Sequence, residues 1–337
     1  MPTETITRHT HATPVHEPPA AIRATGIVAV LTVALALVAI AFALPAARTA
    51  PRAVPIGAAG PQSASGQVAA TLEKQAPGAF AITYYPGEDA LRDAIRNRDV
   101  YGGISFAPDG RRLLIATGAS PIVAQMLTQI GNGIAQKSGV ALATEDLAPP
   151  TTDDPRGAGL AASALPITLA GLLPAIALVF ALKSEIWTRF AAVVVFSGVA
   201  GASIAALLQF VLGSTDANFW GVAGGLTLGV LAAGLTMLGL GSLFGRVGLV
   251  LGAVTALLLG NPLSGLNSAP EMLPTGWGQL GQWLPQGANA TLLRSTAFFG
   301  GAGSTLPIVV LMCWSLLGVG LVVMAALTIE RRGTRRS

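Results

Sequence analysis

The stretch ATGIVAVLTVALALVAIAFAL, Ala24 to Leu44, carries no charge from end to end. A bilayer core takes about 20 apolar residues in a helix, so this run is long enough to cross one. More than a hundred mixed polar residues follow it, and then a second block of apolar spans packed between Leu160 and Thr328. The expected fold is an α-helical integral membrane protein with about six transmembrane helices in a one-plus-five layout. A small α/β extracytoplasmic domain is inserted between helices 1 and 2.

Composition supports that class. Hydrophobic residues make up 52% of the chain, charged residues only 11%, and mean hydropathy is +0.63. A soluble globular domain carries roughly 25% charged residues, so most of this surface must face lipid or other helices. The net charge of +4 and pI near 9.7 do not point to nucleic acid, because Arg331, Arg332, Arg335 and Arg336 concentrate basic charge in one short tail. Such a tail suits a membrane surface. The single cysteine, Cys313, lies inside the last apolar span, where it reads as an inert packing residue; no intramolecular disulfide is available.

The expected order is a disordered cytoplasmic tail over 1–23, helix 1 over 24–44, the α/β domain with its linkers over 45–159, and a membrane domain over 160–329. That domain holds helices at 160–182, 190–212, 217–244, 247–261 and 306–329, with an interfacial segment at 262–305. The helix at 247–261 is short, and Pro262 ends it, so it is either a full span or partly re-entrant. The first span exceeds a signal-peptide core and follows a long tail, which favours an uncleaved anchor over a cleaved leader. A basic tail, 330–337, closes the chain.

Lys and Arg bias sets the orientation. Arg8, Arg23, Lys183, Arg189, Arg246 and the arginine tail all fall on one side if the spans alternate. Both termini are therefore expected in the cytoplasm and the domain at 45–159 outside, in a multi-pass plasma-membrane protein.

Within that domain short apolar runs alternate with amphipathic ones. Strands are expected at Val54 to Ala58, Phe80 to Tyr85, Val100 to Phe106, Arg112 to Thr117 and Val140 to Thr144, and helices at Ser65 to Gln75, Glu88 to Asn97 and Pro121 to Lys137. Asp109-Gly110 is a turn signal. Glu88, Asp89 and Asp93 share one helix with Arg92 and Arg96, beside Arg98, and read as a solvated, salt-bridged face. Asp153 and Asp154 read as linker residues that keep it soluble.

No residue set here carries catalysis, a cofactor or a metal. His9, His11 and His16 offer a His-x-His pattern without carboxylate or cysteine ligands nearby, which reads as a solvated tail. Ionisable residues in the membrane block fall at span ends or in loops, which argues against proton- or ion-coupled transport. Gly225 with Gly229, and Gly248 with Gly252, are small-xxx-small pairs that let helices approach closely, within one chain or in a homodimer. Trp277, Trp283 and Arg294 suit an outer-interface lipid contact, with Arg294 either meeting a phosphate or pairing locally.

Three passages carry a family resemblance. They are Leu91-Arg92-Asp93-Ala94-Ile95-Arg96-Asn97-Arg98-Asp99-Val100-Tyr101-Gly102-Gly103 with Leu113 to Pro121, Gly260-Asn261-Pro262-Leu263-Ser264-Gly265, and Leu284-Pro285-Gln286-Gly287-Ala288-Asn289-Ala290-Thr291-Leu292-Leu293-Arg294-Ser295. Together with the layout they resemble the type-2 ABC transporter permease superfamily, near small actinobacterial members of the YhgE/Pip, or phage-infection-protein-like, group. The resemblance implies six helices with a domain between the first two, a paired or dimeric membrane domain, and an ATPase supplied by another polypeptide. This chain has no G-x-x-x-x-G-K-[ST] loop to bind ATP itself. Lys183, Glu185, Trp187 and Arg189 are the candidates for ATPase contact, although the favoured reading of these residues is an ordinary interfacial anchor.

The expectation is thus a membrane permease subunit, not itself an enzyme, that moves a hydrophobic or cell-envelope substrate with a separate ATPase. Its partners are membrane lipid, that ATPase and a homodimer mate, with no nucleic acid. The alternative is a non-transporting receptor whose outer domain binds a partner.

Overall fold

The computed structural model describes residues 19–107, 110–139, 141–183, 185–216 and 218–334. The histidines of the tail, Asp109, Val140, Ala217, Arg335 and Arg336 lie outside the described residues. The chain divides into two units, Met1–Ile40 and Ala41–Ser337. The first holds most of α1, Ala20–Ala47, an apolar helix long enough to cross a membrane.

The second unit begins with a five-stranded mixed sheet. Its strands are β1 (Val54–Ala59), β2 (Phe80–Tyr85), β3 (Gly102–Ala107), β4 (Gly110–Ile115) and β5 (Ala143–Asp146), in spatial order β2-β1-β3-β4-β5. All neighbours are parallel except β3 and β4, which form an antiparallel pair. Helices α2 (Gln62–Gln75), α3 (Glu88–Arg96) and α4 (Pro121–Ser138) fill the crossovers. The spacing of Leu91, Ala94 and Ile95 explains α3, since all three are buried on one side. At α4, Ser120 Oγ accepts from the Val123 N–H at 3.4 Å, Pro121 occupies the first turn, and Gly139 closes the helix at φ 65°.

Strand β5 starts three residues later than the expected Val140 start and is the most polar of the set, with Glu145 and Asp146 in it. It is held from outside its own pattern. Arg92 bonds Glu145, and Asp146 Oδ1 accepts from the Thr117 N–H at 3.1 Å. The Glu88 helix face is correspondingly less solvated than expected. Glu88 Oε1 takes Arg92 at 2.7 Å and Arg112 at 3.0 Å, joining α3 to β4 and β5.

Beyond the sheet the chain is helical: α5 (Ala158–Ala162), α6 (Ala164–Ala181), α7 (Ile186–Ala206), α8 (Phe219–Val254), α9 (Trp277–Gln282), α10 (Pro285–Phe298) and α11 (Thr305–Thr334). Five runs are long and apolar enough to cross a membrane: Ala20–Ala47, Ala158–Ala181, Ile186–Val211, Phe219–Gly260 and Thr305–Arg331. The protein is a helical membrane protein with a small mixed sheet.

The expected spans at 217–244 and 247–261 merge into the single run Phe219–Gly260, but the run is not straight. Gly245 has φ 61° and ψ −137°, a conformation that side-chain-bearing residues rarely adopt. The chain folds back there. Gly252 sits against the Met237 sulfur and Gly248 against the Leu240 carbonyl, pairs that a continuous helix rising 1.5 Å per residue would hold far apart. α8 is therefore an antiparallel pair of legs, the second of which is short and ends in a π-helical stretch, Thr255–Gly260. The core of the helical block gathers Leu172, Val193, Leu235, Leu238 and Val322 from α6, α7, α8 and α11.

Two side chains depart from expectation. Cys313 is exposed on α11 instead of packed, because the buried residues of that stretch are Val310 and Leu311. Asp154 is more than a solubilising linker residue. Its carboxylate accepts the Ala158 and Gly159 N–H groups, each at 2.8 Å, and the Ser214 hydroxyl at 2.7 Å, so it anchors the start of α5 to the turn after α7.

Candidate functional site

Helix α3 ends in an unusual way. The Arg98 N–H donates to the Ile95 carbonyl at 3.0 Å and the Asp99 N–H to the Ala94 carbonyl at 2.9 Å, a Schellman closure. That closure needs a left-handed residue, normally Gly, and here Arg98 supplies it at φ 67°. A left-handed non-glycine costs about 1–3 kcal/mol and persists where surrounding contacts hold it. The contacts are visible. Arg98 Nη1 donates to the Thr291 carbonyl at 2.9 Å and to Ser295 Oγ at 2.5 Å, both on α10, and the guanidinium lies 5.2 Å from the centre of the Phe299 ring.

This bridge is one of several between the sheet domain and residues 261–305. The Ala50 and Arg52 N–H groups donate to the carbonyls of Met272 and Glu271, each at 3.0 Å. Ala269 and Met272 complete the apolar core beneath β1 and β3. Gly118 meets the Phe298 ring so closely that no Cβ fits.

Between these bridges lies a cavity of about 900 Å³. Its wall includes Arg52, Arg98, Tyr101, Glu271, Trp283, Arg294 and Leu306. The size falls within the range of small-molecule sites, about 300–1,000 Å³. Arg294 is 6% exposed, and its Nη1 and Nη2 donate to the Gly265 and Leu266 carbonyls at 2.9 and 2.6 Å. Arg52 donates to the carbonyls of Met272 and Leu273. Glu271 Oε2 accepts the Tyr101 hydroxyl at 2.8 Å.

The charge in this cavity is unbalanced. Three guanidiniums meet one carboxylate, and among the described residues no acidic group is within ion-pair distance of Arg98 or Arg294. Burial pulls the Arg98 guanidinium below its ordinary range, and Tyr101 and Glu271 only partly offset this. Burial also pushes the Tyr101 hydroxyl well above the usual phenol range, with Glu271 adding to it. Arginine nonetheless stays cationic at neutral pH. The cavity is a cationic site with an apolar side, in which Arg294 is buried and Arg52 half-buried.

Of the residues singled out in the sequence, Trp283 and Arg294 meet in this wall, while Trp277 begins α9 and is half-buried. Arg52, Arg98, Tyr101 and Glu271 were not singled out as a site. The one signal was local: Asn97-Arg98-Asp99 stops α3 where a glycine would ordinarily stand.

The loop Lys183, Glu185, Trp187 and Arg189 divides in two. Arg189 is 3% exposed; its Nε donates to the Leu182 carbonyl at 2.5 Å, Nη1 to Ser242 Oγ at 3.2 Å, and Nη2 to the Lys183 carbonyl. It closes the end of α6 and ties it to α8. Trp187 stays exposed, with an edge contact to Phe190 at 6.1 Å, and Glu185 accepts the Thr188 hydroxyl. The glycine pairs are occupied within the chain, Gly225 by Leu292 and Gly229 by Asn289 on α10, Gly248 and Gly252 by the facing leg of α8.

Among the described residues no group of three or more His, Cys, Asp or Glu could hold a metal ion. No protein-family model, curated protein or solved structure matches the chain.

Proposed function

We propose that the chain is a membrane permease subunit of the type-2 ABC exporter kind, handling a hydrophobic or cell-envelope substrate with energy from a separate ATPase. The observation that carries this reading is the large cationic cavity at the junction of the sheet domain with the helical block, beside an apolar helix end. A substrate-handling site fits that position better than a metal- or acid/base-driven reaction does. In this reading both termini are cytoplasmic, the sheet domain is outside the cell, the short leg after Gly245 with residues 261–305 returns to the outer face, and Trp187 with Lys183 and Glu185 offers the contact to the ATPase.

A second reading is favoured by one observation: the buried Arg189 leaves that loop little free basic surface for docking. A non-transporting receptor whose outer domain binds a partner would have no need of such a surface.

Affinity purification of the full chain in mild detergent separates the two. The permease reading expects ATP hydrolysis in the eluate, reduced at least several-fold by Trp187→Ala. An eluate without ATPase activity, from a chain that still folds and inserts, sinks it in favour of the receptor.

A further inference from the structure

The cavity at the junction holds more positive charge than its walls neutralise. Arg52, Arg98 and Arg294 face one carboxylate, Glu271, which is already engaged by a hydroxyl. The arginine donors reach carbonyls and a hydroxyl, which satisfy hydrogen bonds without cancelling charge, so a cluster of this kind suits an anion. The left-handed backbone at Arg98 shows that this side chain is held at the junction by its contacts with α10. Glycine would close α3 without strain, yet an arginine stands there and its guanidinium is carried into the cavity wall.

The remaining wall is apolar and open at one edge. Leu306, 58% exposed, belongs to the first turn of the apolar span Thr305–Arg331, and Trp283, 62% exposed, lines the same cavity. The Trp283 carbonyl accepts the Trp314 indole N–H at 2.8 Å, so this exposed tryptophan stands along the flank of that apolar span. An anion that entered from bulk water would gain nothing from this edge, whereas one carrying an acyl chain would lay that chain along it.

We propose that the junction cavity binds an anionic lipid, its phosphate against Arg52, Arg98 and Arg294 and the first part of its acyl chain along Trp283 and Leu306. That this lipid is cargo rests on the permease reading; its binding does not. A lipid phosphate and a free phosphate share the headgroup chemistry, and the test below separates them.

The full chain in a neutral detergent is titrated with phosphatidylglycerol, phosphatidylcholine or inorganic phosphate, with native mass spectrometry as the readout. Arg98→Gly is the decisive variant, because glycine suits the left-handed position and leaves the backbone unstrained while the whole side chain is lost. Ser295→Ala, which weakens the clamp to α10 but keeps the guanidinium, is the control and should retain the lipid. One tightly held phosphatidylglycerol is expected, bound at least tenfold more weakly by Arg98→Gly and by Trp283→Ala, and unchanged by the exposed control Arg246→Gln. Equal retention of phosphatidylcholine, equal binding by Arg98→Gly, or displacement of the lipid by millimolar inorganic phosphate would each overturn the proposal. An ATPase that co-purifies while the lipid does not bind rejects this inference alone; bound lipid without an ATPase rejects only the permease reading.

Discussion

The Arg98 guanidinium donates to Ser295 Oγ at 2.5 Å across 197 residues of chain, tying the end of α3 to α10. The same Nη1 reaches the Thr291 carbonyl, so the sheet domain and the short helix between the last two long apolar runs share one charge-assisted clamp. Hydrogen bonds to charged groups contribute about 1.5–3 kcal/mol. A double-mutant cycle of Arg98→Gln and Ser295→Ala, followed by equilibrium unfolding in detergent, is expected to return a coupling of about 1 kcal/mol or more. Strictly additive effects would show that the clamp holds nothing.

Arg189 and Trp187 lie two positions apart and are expected to behave in opposite ways. Arg189→Met leaves the Leu182 and Lys183 carbonyls without their donor and breaks the link to Ser242, at a cost of about 2 kcal/mol or more. Trp187→Ala removes an exposed ring and should stay within about 0.5 kcal/mol. Thermal unfolding of the two variants in the same detergent checks the contrast. A destabilised Trp187→Ala protein would show that this ring is packed and not free for a partner.

Gly245 makes the turn between the two legs of α8. At φ 61° and ψ −137° an alanine is strained although the space around it is open, so the effect of Gly245→Ala comes from the backbone alone. A loss of about 1–3 kcal/mol is expected, with Gly224→Ala, which lies in open space within a helix, neutral or stabilising. Equal unfolding midpoints for the two variants would contradict the hairpin.

Asp154 gives the junction a pH dependence. Burial alone would raise its carboxyl, but the Gly159 N–H, the Ser214 hydroxyl and the Ala158 N–H outweigh that and hold it below the usual carboxylate range. A depressed folded value means that the stabilisation is fully present above the unfolded value, about 3.9, and is lost as pH falls through the folded one. The unfolding midpoint of the wild-type chain should therefore fall relative to Asp154→Asn as pH drops from about 5 toward 3. Parallel profiles for the two proteins would remove Asp154 from the account. At neutral pH the asparagine variant is expected to lose about 0.5–2 kcal/mol, the scale of a helix cap.

Much of the framework was legible from residue order because it depends on local, repeating physics. The apolar runs announced the helices, for burying or lipid-facing a helix requires length and an absence of charge. The alternation around Phe80 to Tyr85 announced β2 to the residue, and the apolar triad of α3 announced its buried face. Arg246 beside Gly245 marked the break in the long apolar run before Gly260. What order could not reveal was where charged side chains go once the elements pack. Arg98 and Arg189 sit among residues that look like an ordinary solvated helix face and an ordinary basic loop. Their partners lie on other elements, Ser295 on α10 and Ser242 on α8, and no periodicity records a hydrogen bond that closes 197 or 53 residues away. Sequence alone determined a helical membrane protein with an inserted α/β domain, since hydropathy and alternation act over a few residues at a time. Only the tertiary structure decided that three arginines line one cavity with a single carboxylate, because burial and charge balance are properties of the packed junction.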